Sequence, residues 1–233
     1  MSPAAFPLSV RARFDQPSRW LWLVKWLLLI PHYIILFFLW LAFAIVTVIA
    51  FFAILFTTRY PRGLFDFNVG VLRWSWRVSY YGYAALATDR YPPFTLADVQ
   101  DYPARLEIDY PQQLNRWLPL IKWLLAVPQY ILVGALFGSG YAVETGMDNS
   151  SVVAYSTPSL IGASVLIAAI ALLFTARYPA GLHDLVVGIN RWSYRLVAYV
   201  AFMTDRYPPL RLDQGGDDPE GPAEGVVAGE AAR

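Results

Sequence analysis

Residues 20–56 read WLWLVKWLLLIPHYIILFFLWLAFAIVTVIAFFAILF, a run of 37 residues that contains one Lys and one His. A membrane-spanning helix needs about 20 apolar residues. A single helix over the whole run would be about 55 Å long, against a hydrocarbon core of about 30 Å. Two interpretations remain. One is a short interfacial helix to Ile30, a break at Pro31 and one span, and the other is a tight helical hairpin that turns near Phe38–Phe43.

The composition of the whole chain also indicates an integral membrane protein. Of 233 residues, 57% are hydrophobic and 15% are charged, and the mean hydropathy is +0.42, whereas about 25% of residues are charged in soluble domains. A formal net charge of +1 gives no reason to expect a nucleic-acid partner. The chain has no Cys, which excludes disulfides, thiolate catalysis and Cys-based metal sites.

The chain repeats itself, and the repeat bears on the choice between the two interpretations. Residues 19–33 recur 97 residues later, and residues 55–78 recur 118 residues later with 15 of 24 positions identical. The second copy therefore carries a 21-residue insertion in its apolar run, at about Gly138–Pro158. This segment is polar, and we expect a water-exposed loop there. Such a loop fits only where the chain has already turned round, so the hairpin interpretation is favoured.

The positions of the positive charges predict the topology. All eighteen Lys and Arg lie outside residues 26–58 and 123–176. By the positive-inside rule, both hairpin tips face outward and both termini are cytoplasmic, in a multi-pass protein of the bacterial cytoplasmic (inner) membrane. We expect Lys25 and Lys122 to snorkel to the interface. The predicted spans are 19–38, 40–57, 116–137 and 158–175.

These patterns predict an all-α membrane protein of two tandem repeats. Each repeat has a transmembrane helical hairpin and a cytoplasmic interfacial amphipathic helix, together with short cytoplasmic β-strands. The first repeat is 1–97 (hairpin 19–57, interfacial helix 63–87), the second is 98–213 (hairpin 116–175 with outer loop 138–158, interfacial helix 181–203), and 214–233 is a disordered tail.

Two polar segments alternate apolar and polar residues in the manner of strands. They are LSVRARFD (8–15) and ARLEIDY (104–110), and each precedes an apolar run. The short segments Phe94–Leu96 and Leu210–Leu212 follow double prolines. We expect these short segments to pair with the two strands in a small cytoplasmic sheet.

The pentapeptide T-x-R-Y-P occurs four times, starting at Thr57, Thr88, Thr175 and Thr204. Arg complements the negative end of a helix dipole, and Pro cannot continue a helix. The four copies are therefore interpreted as helix stops at one membrane surface. The alternative is a ligand site built from their arginines, which are Arg59, Arg90, Arg177 and Arg206.

Each interfacial helix is predicted to carry a narrow polar stripe on an apolar, Trp-rich body. The stripe consists of Asp66, Gly70, Arg73 and Arg77 in the first copy and of Asp184, Gly188, Arg191 and Arg195 in the second. Water and generic lipid phosphate can solvate these arginines. Alternatively, paired arginines beside Trp74 and Trp192 hold a specific anionic headgroup, or the stripe Asp and Arg residues pair within the protein.

No constellation for catalysis or metal binding is recognisable, so we expect a non-enzymatic protein without cofactor or metal. His32 has Gln129 as its counterpart in the second copy. A lone His in an apolar helix is more often part of a hydrogen-bonded structure than a ligand, and the replacement by Gln weakens a metal or proton role further.

The motifs R-W-x-x-x-x-K-W, P-H-Y or P-Q-Y, L-F-T-x-R-Y-P-x-G-L-x-D, R-W-S-x-R and T-D-R-Y-P-P occur over about 8–97 and again over 104–213. In these motifs the chain resembles a bacterial membrane family catalogued as domain of unknown function 4389, present as two tandem copies. The resemblance implies membrane residence and no established activity. We expect a non-catalytic module that binds anionic lipid, a membrane-protein partner or a second copy of itself at the inner leaflet. The alternative is a small transporter or channel component with its pathway between the repeats.

Overall fold

A computed structural model describes residues 6–138, 140–144, 152–156, 159–210 and 212–215, with the backbone alone in 140–144 and 152–156. Apart from residues 214 and 215, the predicted disordered tail lies outside these residues. The elements in chain order are β1 (Leu8–Ala12), α1 (Trp22–Thr57), α2 (Arg62–Tyr81), β2 (Ala104–Ile108), α3 (Leu118–Leu125), α4 (Val127–Phe137), β3 (Gly140–Glu144), β4 (Val152–Ser156), α5 (Leu160–Thr175) and α6 (Ala180–Val200). The chain is mostly helical.

The apolar run of the first copy forms one continuous helix, α1, of 36 residues. The predicted turn near Phe38–Phe43 is therefore wrong for this copy, and so is a break at Pro31, which lies inside α1. The segment Phe38–Phe43 contains none of the Gly, Pro, Asn, Asp or Ser residues that turns use, so nothing in it ends the helix. A helix about 54 Å long fits a membrane only if it is tilted or lies partly along the surface.

The second copy divides the same run into three helices. Helices α3 and α4 meet at a 42° bend, and β3 and β4 follow as an antiparallel pair with Gly140 opposite Ser156. The predicted outer loop thus contains a β-hairpin. Among the described residues, α1 is long and apolar enough to span a membrane, and α3 with α4 is a second such unit if the bent pair is one span. The described residues do not form four separate spans, because α1 does not turn and α5 has only 16 residues.

The two predicted interfacial helices are present as α2 and α6. They begin one residue before the predicted positions, directly after Pro61 and Pro179. They end at Tyr81 and Val200, six and three residues before the predicted ends. Gly82 follows α2 in an extended conformation, and its backbone N–H donates to the Val78 carbonyl at 2.9 Å.

Helix α2 is buried on two opposite faces. On one face, Trp74, Val78 and Tyr81 pack against α1. On the other, Trp76 and Tyr80 donate hydrogen bonds to backbone carbonyls at and just after the end of β1. Helix α2 therefore lies between the apolar helix α1 and the β1–β2 sheet, and the first copy has three layers.

Strands β1 and β2 pair with each other, antiparallel, with Val10 opposite Leu106. The prediction of strands at 8–15 and 104–110 is confirmed over their central residues. The predicted pairing with Phe94–Leu96 is wrong, because that segment forms no strand and its neighbouring carbonyls accept hydrogen bonds from Arg77 instead. Leu210 and Leu212 are likewise not in a strand, and the residue between them is not described.

In each copy, an arginine donates a hydrogen bond to the β-strand of the other copy. The Arg73 Nε donates to the Leu106 carbonyl of β2 at 2.9 Å, and the Arg191 Nε donates to the Val10 carbonyl of β1 at 3.0 Å. Trp76 and Tyr194 are equivalent residues of the two copies, and their ring centroids lie 5.6 Å apart. The copies are thus related by an approximate two-fold and share one core.

Candidate functional site

The apolar helices leave a large part of their surface uncovered. Big hydrophobic side chains are exposed along α1 from Leu23 to Phe56, and along α3, α4 and α5 as far as Phe174. Phe56 is 75% exposed and Phe174 is 77% exposed. A continuous apolar surface of this length marks contact with a membrane or with another protein. It belongs to the helix layer that faces away from the β1–β2 sheet.

Exposed tryptophans and arginines lie at the beginning of this apolar surface in both copies. Trp20 and Trp26 are exposed in the first copy, and Trp117 and Trp123 in the second. Arg19 and Arg116 directly precede the first Trp of each pair and are also exposed. Such residues suit the headgroup region of a bilayer. They were absent from the predicted site, although the repeated R-W-x-x-x-x-K-W motif already placed them beside the apolar run.

The two lysines at these helix starts are buried, so the prediction that they snorkel is wrong. The Lys25 Nζ lies 3.0 Å from an Asp89 carboxylate oxygen and donates to the Thr88 carbonyl at 2.6 Å. In the second copy, the Lys122 Nζ makes the equivalent contacts with Asp205 at 2.8 Å and with Thr204 at 2.7 Å. Each lysine thus ties the T-D-R-Y-P-P segment that follows α2 or α6 back onto the apolar helix of its own copy.

The stripe of α2 binds the segment after T-D-R-Y-P-P. A Cβ atom on Gly70 would lie 2.8 Å from the Leu96 Cβ, so only glycine leaves room for this segment to cross the helix. Two turns further along, Arg77 donates to the carbonyls of Thr95 and, at 3.0 Å, of Ala97. Burial lowers the pKa of the Arg77 guanidinium from its ordinary value, while Tyr102 and Asp98 act in the opposite direction.

The stripe of α6 has the same construction. A Cβ on Gly188 would lie 2.9 Å from the Asp213 carbonyl oxygen. Arg191 donates to the carbonyls of Asp213 and Gly215, and Arg195 forms a salt bridge of 2.6 Å with the Asp213 carboxylate. Both arginines are fully buried.

The two predicted polar-pair residues make other contacts. Asp66 lies 3.4 Å from Arg62, and Asp184 lies 3.1 Å from the His183 ring. The alternative in which the stripe Asp and Arg residues pair with each other is therefore not what the structure has, because the stripe arginines bind other groups of the protein.

The two predicted site tryptophans point into the protein. The Trp74 Nε1 donates to the His32 Nδ1 at 3.0 Å, and the Trp192 Nε1 donates to the Gln129 Oε1 at 2.6 Å. Both rings are buried. His and Gln occupy the same place because each offers one acceptor to an indole N–H, which agrees with a hydrogen-bonding role for His32.

The four T-x-R-Y-P motifs share one local turn. In each, the Arg backbone N–H donates to the Thr Oγ1, at 3.1 Å or 3.3 Å. Thr57 and Thr175 are the last residues of α1 and α5, as expected for helix stops. Thr88 and Thr204 lie in the loops after α2 and α6, so the interpretation as a helix stop is wrong for them.

The arginines of these motifs have different surroundings. Arg59 and Arg177 are exposed at the ends of α1 and α5. Arg90 is exposed and donates to the Asp101 carbonyl. Arg206 is half-buried, with its guanidinium carbon 5.7 Å from the centroid of the Phe6 ring.

A cavity of about 620 Å³ lies between the two copies. It is lined by α1 between Trp40 and Thr47, by α4 between Tyr130 and Phe137, and by α6 and its end between Ser193 and Ala201. Among the described residues, no charged side chain lines it.

The family described as "Domain of unknown function (DUF4389)" matches residues 19–95 and 150–210, more than half of the chain. The chain belongs to this family, and the two matched segments are consistent with tandem copies. No curated protein and no solved structure matches the chain.

Proposed function

We propose that this protein is a non-catalytic, multi-pass component of the bacterial cytoplasmic membrane that binds anionic lipid headgroups at the inner leaflet. The apolar layer of α1, α3, α4 and α5 lies in the bilayer, with α1 along the inner leaflet, because the strands before and after α1 pair with each other. Helices α2 and α6 and the β1–β2 sheet lie at the cytoplasmic surface, and both termini are cytoplasmic.

The observation that carries this proposal is the exposed apolar surface with arginine and tryptophan at its edges. Arg19 and Trp20 precede the apolar run of the first copy, and Arg59 follows it. The second copy repeats this arrangement with Arg116, Trp117 and Arg177. Exposed arginines beside an apolar surface attract anionic lipid, each by about 1 kcal/mol. Three of the stripe arginines, Arg77, Arg191 and Arg195, are buried and bind groups inside the protein, so the proposal moves headgroup binding to the exposed arginines.

Lipid retention tests the headgroup site. The double variant Arg59→Gln with Arg177→Gln is expected to reduce co-purifying phosphatidylglycerol and cardiolipin several-fold without lowering the melting temperature. The control, Arg13→Gln with Arg105→Gln, removes the same charge from the sheet side and is expected to leave lipid retention unchanged. Equal retention in both double variants would contradict the proposal.

Cysteine labelling tests the topology, because the chain has no native Cys. On intact cells, Asp98→Cys and Ser2→Cys are expected to be shielded from an impermeant maleimide and to react only after permeabilisation. Ser150→Cys, in the insertion, is expected to react directly. Labelling of Asp98→Cys on intact cells would place the loop after α2 outside the cell and refute the orientation.

A second candidate function is a small transporter or channel component with its pathway between the copies. The cavity in that position favours this function. Because the described residues of its lining are uncharged, such a pathway suits an apolar solute.

A further inference from the structure

One residue in the wall of the cavity between the copies is smaller than its counterpart in the first copy. In the first copy, Leu36 packs against Trp74, Val78 and Tyr81 of α2. Its counterpart 97 residues later is Val133, which lines the cavity instead. The counterpart of the buried Leu29 is Ala126, at the 42° bend between α3 and α4. The second copy therefore has smaller side chains at these two positions, and one of them, Val133, lies in the cavity wall.

The hydroxyl groups in the cavity wall are already used within the protein. The Thr47 Oγ1 donates to the Phe43 carbonyl at 2.8 Å and accepts from Asn68 at 3.3 Å. The Ser193 Oγ donates to the Ile189 carbonyl at 2.8 Å. The remaining lining is aliphatic or aromatic, apart from the Tyr130 hydroxyl. These walls therefore suit hydrocarbon and offer little to a polar ligand.

The cavity opens onto the exposed apolar surface. Trp40, Tyr130 and Phe137 line it and are each more than a third exposed, whereas Phe43, Leu196 and Ala201 are buried. The first three residues mark the mouth and the last three the floor. In the membrane placement proposed above, this mouth faces the lipid chains. A volume of about 620 Å³ is within the usual range of roughly 300–1,000 Å³ for small-molecule sites.

We propose that this cavity holds one acyl chain of a membrane phospholipid, wedged between α1 of the first copy and α4 and α6 of the second. An unfilled apolar cavity destabilises a fold in proportion to its volume, and an acyl chain removes that loss. The inference rests on the proposed membrane placement, because only a protein in the bilayer meets acyl chains at this mouth. It does not depend on the headgroup arginines.

Photocrosslinking of the full-length protein tests this site. The probe is phosphatidylglycerol with a diazirine near the end of one acyl chain. The protein is loaded in mild detergent, freed of excess lipid, irradiated and mapped by peptide mass spectrometry. About one crosslinked lipid per chain is expected, on peptides of α4 and α6.

Two variants at neighbouring positions of α4 locate the bound chain. Val133→Trp fills the cavity and is expected to reduce the crosslink at least tenfold, with an unchanged or higher melting temperature. Ile131→Trp is the matched control, because Ile131 is 67% exposed on the same helix, and it is expected to leave the crosslink unchanged. If Val133→Trp does not fold, Val197→Phe fills the cavity from α6.

The outcomes separate this inference from the proposed function. Equal crosslinking in both α4 variants would show surface lipid only and overturn the inference while leaving membrane residence intact. A different apolar molecule found in the cavity by native mass spectrometry, such as an isoprenoid, would also overturn it. Loss of lipid from the Arg59 and Arg177 double variant with a persistent cavity crosslink would support both proposals as independent sites.

Discussion

The two copies build the same three layers from apolar runs of different construction. The first copy uses one uninterrupted helix, α1, whereas the second uses α3 and α4 with a 42° bend, a β-hairpin and then α5. The contacts that survive this difference are at the ends of the run: the buried lysine, the acceptor for the indole N–H and the T-x-R-Y-P turn. The middle of the run tolerates an insertion because few of its side chains are buried.

The largest expected effect distinguishes the two arginines that hold the strands. Arg191 is fully buried and donates to three carbonyls, whereas Arg73 is half-buried and, among the described residues, donates to the Leu106 carbonyl alone. Arg191→Leu is expected to lower the free energy of unfolding by about 3 kcal/mol and Arg73→Leu by about 1 kcal/mol, because buried carbonyls lose their donors. Thermal unfolding in detergent measures both losses of stability. Equal losses would mean that the contacts of the two arginines contribute equally.

In contrast to the two arginines, replacement of the two buried lysines is expected to lower the stability by the same amount in both copies. Lys25→Met and Lys122→Met each leave a partly buried Asp without its partner, at about 2 kcal/mol. Adding Asp89→Asn to Lys25→Met is expected to recover part of the loss, because it removes the unpaired charge. Losses of stability that differ by more than about 1 kcal/mol would show that the bend in the second copy changes this end of the helix as well.

An exchange of acceptors tests the shared indole contact. His32→Gln places the residue of the second copy into the first and is expected to cost less than about 1 kcal/mol, because Trp74 keeps an acceptor. His32→Leu removes the acceptor and is expected to cost about 1–3 kcal/mol. If both variants unfold at the same temperature, packing of the ring rather than its hydrogen bond stabilises this contact.

The smallest effect concerns His183, which occupies the place of Phe65. Burial lowers the pKa of His183, and Asp184 raises it in part. The unfolded chain therefore takes up a proton at higher pH than the folded chain, and stability falls as the pH drops below about 6.5. His183→Phe is expected to flatten this fall by less than about 1 kcal/mol, measured as melting temperature between pH 7.5 and 5.5. A slope identical to that of the unmodified protein would assign it to other groups.

The sequence predicted those features of the fold that are determined by residues close together in the chain. The repeat, the strands at Leu8–Ala12 and Ala104–Ile108, and the starts of α2 and α6 all follow from short patterns of polarity and proline. The turn at Phe38–Phe43 was inferred by carrying the insertion of the second copy over to the first. That step failed because a helix without turn residues has no reason to end.

The sequence pattern could not predict the hydrogen-bond partners of the stripe arginines. Arg77 and Arg191 bind backbone carbonyls, which every residue has and which leave no mark in the sequence. Only Gly70, two turns before Arg77, indicated that another segment crosses the helix. The replacement of Leu36 by Val133 between the copies is a sequence signal for one wall of the apolar cavity, but the sequence does not predict that α1, α4 and α6 meet around it.

Because each copy binds the strand of the other, the order of synthesis determines when the first copy can complete its fold. Strand β1 leaves the ribosome well before its partner, which begins at Ala104, and the guanidinium that binds β1 belongs to Arg191, which is made later still. An unpaired strand edge is open to pairing with other chains. The fold of the nascent first copy therefore remains incomplete while the second copy is being made. It is complete only after α6 has been synthesised.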